Sequence, residues 1–305
     1  MHRPTPLSYD VAGAPLDAPA PEVWRATPFR ALWQDGAARA ALCLLVALLL
    51  VAVFAPWLAP YDPIAQPDII GLKYLPPSAA HPFGTDAYSR DVLSRMMYGA
   101  RVSLSIAILA MLLSTFIGTA YGLVAVLGGR FTDAVLMRGV DTFLAIPRIL
   151  LLLGVVAIWG DLTVKPLIVV IGLSGWFAAA RLVRTLVLGL RERDFVIAAR
   201  GLGAHTSSIA VRHVLPHLAS PILVAATFGV GAALVIEAGL SFLGYGVDEP
   251  QASWGSILRD GQGNFVSAWW LSVVPGAALV ITVLAVNVIA DRLRDIASGR
   301  HLPRG

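Results

Sequence analysis

The chain has 305 residues, of which 57% are hydrophobic and 14% charged, with a formal net charge of +4. A soluble chain carries roughly 25% charged residues, so this composition, with a mean hydropathy of +0.74, excludes a water-soluble globule. The small charge excess does not suit nucleic-acid binding, and a lone Cys43 inside an apolar run excludes a disulfide framework or a cysteine metal site. Spanning hydrocarbon takes about 20 apolar residues, and the runs of this chain predict an all-α polytopic membrane protein with six transmembrane helices.

Residues 1–39 read as a polar, proline-rich tail. It is too long for the start of a signal peptide, so the first run, Ala40–Leu58, is expected to be a retained span. An outward segment over 59–101 follows. It contains HPFGTDAYSRDVLSRMMYGARVSL, His81 to Leu104. Thr85 is placed to cap a helix beginning at Asp86, and Asp86/Arg90 and Asp91/Arg95 are acid-before-base pairs four residues apart. Val92, Leu93, Met96 and Met97 supply an apolar side, which predicts an amphipathic helix lying on the outer membrane surface. Direct contact with a substrate or partner is the alternative.

The five remaining spans fall within 102–290: Val102–Leu127, Ala134–Trp159, Leu167–Leu190, Leu218–Tyr245 and Trp269–Ala290, with a tail over 291–305. Gly118 and Gly122 form a GxxxG, which implies close helix packing. Arg138 and Asp141 are three residues apart and can pair, or lie where the third helix projects below the bilayer. Arg148, one residue past Pro147 and near mid-span, must face a partner or a watery path and is a candidate pathway residue. Glu237, near the outer end of the fifth span, reads either as part of a gate or as a helix-interface hydrogen bond. Beyond it, Asp248 and Glu249 offer a landing point for basic residues of a soluble binding protein, or are simply a solvated loop. Trp254, Trp269 and Trp270 fit an interfacial belt. Arginines concentrate on the segments that share a side with the N-terminus, among them Arg130, Arg191, Arg193, Arg200, Arg212, Arg292 and Arg294, which places both termini in the cytoplasm.

The segment over 191–217 joins the fourth and fifth spans and includes DFVIAARGLGAHTSSIAVRHVLPHL, Asp194 to Leu218. Asp194 suits the first turn of a helix. Ala198, Ala199, Leu202 and Gly203 follow at helical spacing, so Ala199 and Gly203 would share a face of almost no bulk. Arg193 and Arg200 flank that face and could reach carbonyls or carboxylates of another protein. A second short helix, Ser207 to Val214, is expected to stop before Pro216. Spacing alone leaves a docking surface and a structural interfacial hairpin equally open.

Catalytic readings find little support. GLSG at 172–175 has the look of an intramembrane serine-protease nucleophile, but no histidine lies within a span to serve as its base. No HExxH and no phosphate-binding Walker A string occur. The three loop histidines, His205, His213 and His217, read as residues near lipid headgroups.

The loop resembles the coupling loop of ABC-importer permeases, whose pattern is Glu-Ala-Ala, three residues, Gly, then nine or so residues to Ile-x-Leu-Pro. Here Ala198, Ala199 and Gly203 match, as do Val214, Leu215 and Pro216. Ile197 departs from the glutamate, and Asp194 fills an acidic position typical of the peptide-permease branch. The stretch from His81 is similar to the His-Pro-x-Gly-Thr-Asp, Gly-Arg-Asp, Ser-Arg phrase before the second span of those permeases, with Ser89 in place of the usual glycine. EAGLSFLGYGVDEPQASWG, Glu237 to Gly255, resembles the end of their fifth span. The resemblance runs from about Pro76 to Asp295 and implies the type I ABC importer (MetI-like) permease fold: a core of five helices plus an N-terminal span, in a prokaryotic cytoplasmic membrane.

For function it implies a non-enzymatic permease subunit of the dipeptide/oligopeptide/nickel transport family, working by alternating access. Its partners would be a homologous second permease, two cytoplasmic ATPase subunits that use ATP and Mg, and an extracytoplasmic substrate-binding protein. This chain itself would bind no cofactor. Asp194, Ala198, Ala199, Arg200, Gly203, Leu215 and Pro216 would form the ATPase-coupling loop. Cargo is expected to be di- or oligopeptides, with nickel, a metal chelate, an opine or an oligosaccharide as alternatives. An ion-coupled carrier acting alone, with Arg148 and Glu237 as relay groups, is the reading from another class.

Overall fold

The computed structural model describes residues 32–160, 163–247 and 249–298. The N-terminal tail as far as Ala31, Asp248 and the chain end from Gly299 lie outside the described residues. Helix α1, Gly36–Leu58, starts where the Asp35 carboxylate accepts from the Ala38 N–H at 2.9 Å, an N-cap that satisfies one of the free donors of the first turn. Helix α2, Val92–Leu127, is capped in the same way by Asp91, which accepts from the Ser94 N–H at 2.8 Å. The helix expected to lie on the membrane surface is therefore the opening of the second span.

The third expected span is not one helix. It is α3, Arg130–Leu144, and α4, Arg148–Trp159, bent by 84°. Pro147 has no N–H to continue the ladder and disfavours helical geometry at Ile146, and its own carbonyl instead accepts from Leu150 and Leu151 to begin α4. Pro56, Pro221 and Pro275 sit inside continuous helices, so proline alone does not mark a break. Helix α5 is Val164–Arg191. It carries Arg184, bound to Asp133 of α3 through two hydrogen bonds of 2.6 Å, and Arg181, bound to Asp141. Asp141 thus pairs across helices rather than with Arg138.

Helix α6, Asp194–Gly201, and α7, Thr206–Ile209, make the loop before α8, Leu215–Phe242. A short helix unforeseen in the sequence, α9 at Trp254–Asp260, precedes α10, Trp270–Ala297. Among the described residues five helices are long and apolar enough to cross a membrane, or six if the bent pair is one broken span. Helix α2 is the centre, packed along α1, α5 and α8, while α10 closes on α1 and α8. At Gly118 and Gly122 a Cβ would lie 2.5 Å from the Ala179 Cβ and 2.7 Å from the Ala180 carbonyl oxygen of α5. The GxxxG is what permits that approach. Large apolar side chains such as Phe116, Leu112, Val53 and Leu284 point outward, as suits a bundle whose surroundings are hydrocarbon.

The outer segment overturns the expectation of an exposed charged helix. Thr85 is no cap: it accepts from the Leu75 N–H at 2.8 Å and donates to the Leu72 carbonyl. Asp86, Arg90, Asp91 and Arg95 are all buried. The Asp86 carboxylate accepts from the backbone N–H groups of Tyr88 and Arg90, from Arg90 Nε at 2.6 Å, and from Arg95 Nη1. Arg95 also reaches Asp260 of α9 at 2.7 Å, and Arg90 reaches Glu249 at 3.0 Å. Burial works against the charge on Arg90, but Asp86 and Glu249 outweigh it and hold its pKa above the ordinary value. Trp254 and Trp270 are likewise core residues rather than belt residues, donating to the carbonyls of Met96 and Thr85 at 3.1 Å each. Only Trp269 of the three is exposed.

Ser89 has a φ of +60°, in the left-handed region that costs an L-residue about 1–2 kcal/mol, and its buried hydroxyl has no partner. A glycine at this position would be free of both costs. Ser89→Gly is therefore expected to stabilise the chain by about 1 kcal/mol after the added freedom of the unfolded state is deducted. A melting temperature in detergent that fails to rise would contradict that reading.

Candidate functional site

Two regions hold most of the candidate residues read from the sequence: the loop around α6 and α7, and a cavity open on one side between the helices. The loop is two-faced. Val196, Ile209, Val214 and Leu218 are buried against Val126, Val183 and Val187 of α2 and α5 in a small separate core, and the Phe195 ring stacks on His217 at 4.8 Å. On the other side Ile197 is 56% exposed, Val211 63% and Leu202 89%. Burying these apolar anchors fixes the loop to the spans, and it leaves Ile197, Val211 and Leu202 as apolar side chains free to meet a partner.

The ends of α6 show what its small residues do. Asp194 lies in the first turn, as expected from the helix dipole. At the other end Gly203 N–H donates to the Arg200 carbonyl and Ala204 N–H to the Ala199 carbonyl, both at 3.0 Å, with Gly203 at φ +80°. This double closure around a left-handed glycine is a Schellman motif. Gly203 thus lies beyond the helix, and the expectation that it shares a helical face with Ala199 is corrected. Ala198, Arg200 and Gly203 are exposed, Ala199 is half-buried, and no atom would meet a Cβ on Gly203. Nor does a helix stop before Pro216. A π-turn over Ala210–Val214 runs from α7 into α8, with Leu215 N–H donating to the Ala210 carbonyl. The wider turn lets Pro216, which has no N–H, enter near the start of α8 without ending the helix. Leu215 and Pro216 are exposed at this junction.

Arg148 is the first residue of α4 and lines a cavity of about 350 Å³ walled by α2, α5 and α8. Its Nε donates to Ser174 Oγ at 3.0 Å and its Nη2 to the Ile171 carbonyl at 2.9 Å. Among the described residues no carboxylate pairs with it. Glu237 is placed quite differently. It is 0% exposed, accepting from Ser103 Oγ of α2 at 2.9 Å and from Ser241 Oγ at 2.8 Å. Ser253 and Trp254 at the start of α9 bond to those same two serines. Glu237 lines no open route here; it pins α2, α8 and α9 together, which is the hydrogen-bonded alternative. Glu249 is half exposed and held by Arg90, while Asp248 lies outside the described residues.

The sequence reading missed Ser114 and Gly175 beside Arg148, which are distant along the chain, and Asp260, whose pairing depends on α9.

The sequence profile of the "binding-protein-dependent transport system inner membrane component" family matches residues 110–301, and that of the "N-terminal TM domain of oligopeptide transport permease C" matches 23–77. A peptide transport system permease protein of Brucella abortus is 41% identical over 89% of this chain and 90% of its own length. The dipeptide transport system permease protein DppC of Alkalihalophilus pseudofirmus is 37% identical over 89% and 88%. A solved structure of the MetNI methionine ABC transporter in inward-facing form shares the fold, with a TM-score of 0.56 at 20% identity over 67% of this chain and 97% of that one. With its fold, the family profile and its relatives in agreement, the chain belongs to the binding-protein-dependent inner membrane component family, the permease subunits of ABC importers.

Proposed function

We propose that this chain forms half of the path through which an ATP-driven importer moves di- or oligopeptides across a prokaryotic cytoplasmic membrane. A homologous permease supplies the other half. An extracytoplasmic binding protein delivers cargo, and two cytoplasmic ATPase subunits bind at the loop from Asp194 to Pro216. Both termini lie in the cytoplasm, which the arginine distribution supports. The names of the relatives support peptide cargo.

The observation that carries the reading is the two-faced loop. Because Val196, Ile209 and Val214 anchor it to α2 and α5, a push on its exposed face is transmitted to the spans as a rigid displacement, the kind of motion alternating access requires. The ATPases hydrolyse ATP with their own Mg, and this chain takes no part in that chemistry.

A tagged chain purified from native membranes in mild detergent is expected to bring down an ATPase with a Walker A string and a second permease. Proteoliposomes of that complex plus binding protein should take up peptide only with ATP. Uptake that survives ATP depletion but collapses with the ion gradient would establish an ion-coupled carrier instead. ATP-dependent uptake of nickel, a chelate, an opine or an oligosaccharide but no peptide would keep the importer and replace the cargo.

A further inference from the structure

The cavity holding Arg148 lies near the middle of the bundle: Ser114, Gly175 and Gly229 are each close to the midpoint of the apolar part of α2, α5 or α8. Its wall is otherwise almost wholly apolar, with Met111, Phe228 and small alanines, so a lone guanidinium there is costly unless something uses it. Three features make the spot suited to an anion. Arg148 opens α4 at the break after Pro147, where free backbone N–H groups and the helix dipole favour negative charge. No carboxylate among the described residues neutralises it. The Ser114 hydroxyl in the same wall is buried and has no hydrogen-bond partner.

Gly175 separates the two groups. A Cβ there would stand 3.0 Å from Arg148 Nη2 and 2.5 Å from Ser114 Oγ, so only glycine leaves the gap between them open. Ser174 and the Ile171 carbonyl fix the guanidinium from one side, which pre-organises its remaining donors.

We propose that this cavity is a carboxylate subsite of the transport path, in which Arg148, supported by the start of α4 and by Ser114, takes the C-terminal carboxylate of the peptide in transit. The inference rests on the peptide-importer reading above. A cavity of about 350 Å³ is at the small end for a ligand site, and it suits one end of a peptide rather than the whole. Broken helices with their N-terminal ends toward an anionic group at mid-membrane are a recurrent way of building such a site.

The test uses proteoliposomes of the complete complex with its binding protein, and two probes: trialanine and its C-terminal amide. Uptake by each variant is divided by wild-type uptake of the same probe, so any preference of the unchanged binding protein cancels. Arg148→Gln is expected to slow trialanine roughly tenfold or more, the scale of a charged hydrogen bond, while leaving the amide nearly unchanged. Arg148→Lys should keep much of the preference. Gly175→Ala, which retains the charge but fills the gap, should reduce trialanine selectively.

Equal loss of both probes in Arg148→Gln would overturn the assignment. So would failure of that variant, but not of Arg148→Lys, to assemble with the second permease, since the carboxylate would then belong to that subunit. A wild-type complex with ATPase activity that moves neither probe would sink the peptide reading itself, and the subsite with it.

Discussion

Asp86→Ala is expected to destabilise the chain by about 3–5 kcal/mol, the cost of leaving buried charge without its partner. The carboxylate is shared by two guanidiniums, Arg90 and Arg95, both almost fully buried. Without it Arg95 keeps only Asp260, and Arg90 keeps Glu249 and a distant Asp260 oxygen at 3.7 Å. Both ion pairs of Asp86 would be lost, leaving two buried guanidiniums to the partly exposed carboxylates of Glu249 and Asp260. The backbone N–H groups of Tyr88 and Arg90 would lose their acceptor as well. Glu249→Ala is the control. Its side chain is 57% exposed, so it is expected to cost about 0–1 kcal/mol, as surface pairs do. Thermal unfolding in detergent reads both. Similar melting temperatures for the two variants would mean that the cluster is wet and that Asp86 is not its centre.

This cluster also shows where the sequence was legible and where it was not. Hydrocarbon length and the closed backbone of a helix set the spans, so α1, α5, α8 and α10 could be read within a few residues at most ends. Spacing four apart correctly paired Asp86 with Arg90, but spacing is silent about depth. What buries the pair is α9 and the loop around Glu249, more than 150 residues away along the chain. The tryptophans erred for the same reason: a tryptophan at a span end looks the same whether its N–H meets a headgroup or the Met96 carbonyl. Pro147 and Pro275 cannot be told apart locally either. One breaks a span and the other is absorbed, because the neighbouring helices decide whether freed backbone groups find new partners. The loop match located Gly203 but not its role, since a left-handed φ leaves no mark other than the glycine itself.

At that loop, Leu202→Asp is expected to cut ATP-driven uptake roughly tenfold or more while leaving stability within about 0.5 kcal/mol of wild type. Leu202 is 89% exposed and supports nothing in this chain, so a loss confined to transport assigns its apolar surface to a partner. ATP hydrolysis by the complex should then become insensitive to loaded binding protein, as uncoupling requires. Gly203 needs a finer comparison. A bulky residue such as tryptophan would block an approaching groove, but it would also strain the φ of +80° and open the end of α6. Asparagine tolerates that conformation and valine does not. If Gly203 serves to close α6, Gly203→Asn retains transport and Gly203→Val loses it together with stability. If the partner's backbone packs directly on Gly203, both variants lose transport, and Gly203→Asn does so with an unchanged melting temperature. Retained transport in Leu202→Asp, with the complex intact, would remove the end of α6 from the docking surface and leave Ile197 and the π-turn around Val211 to carry it.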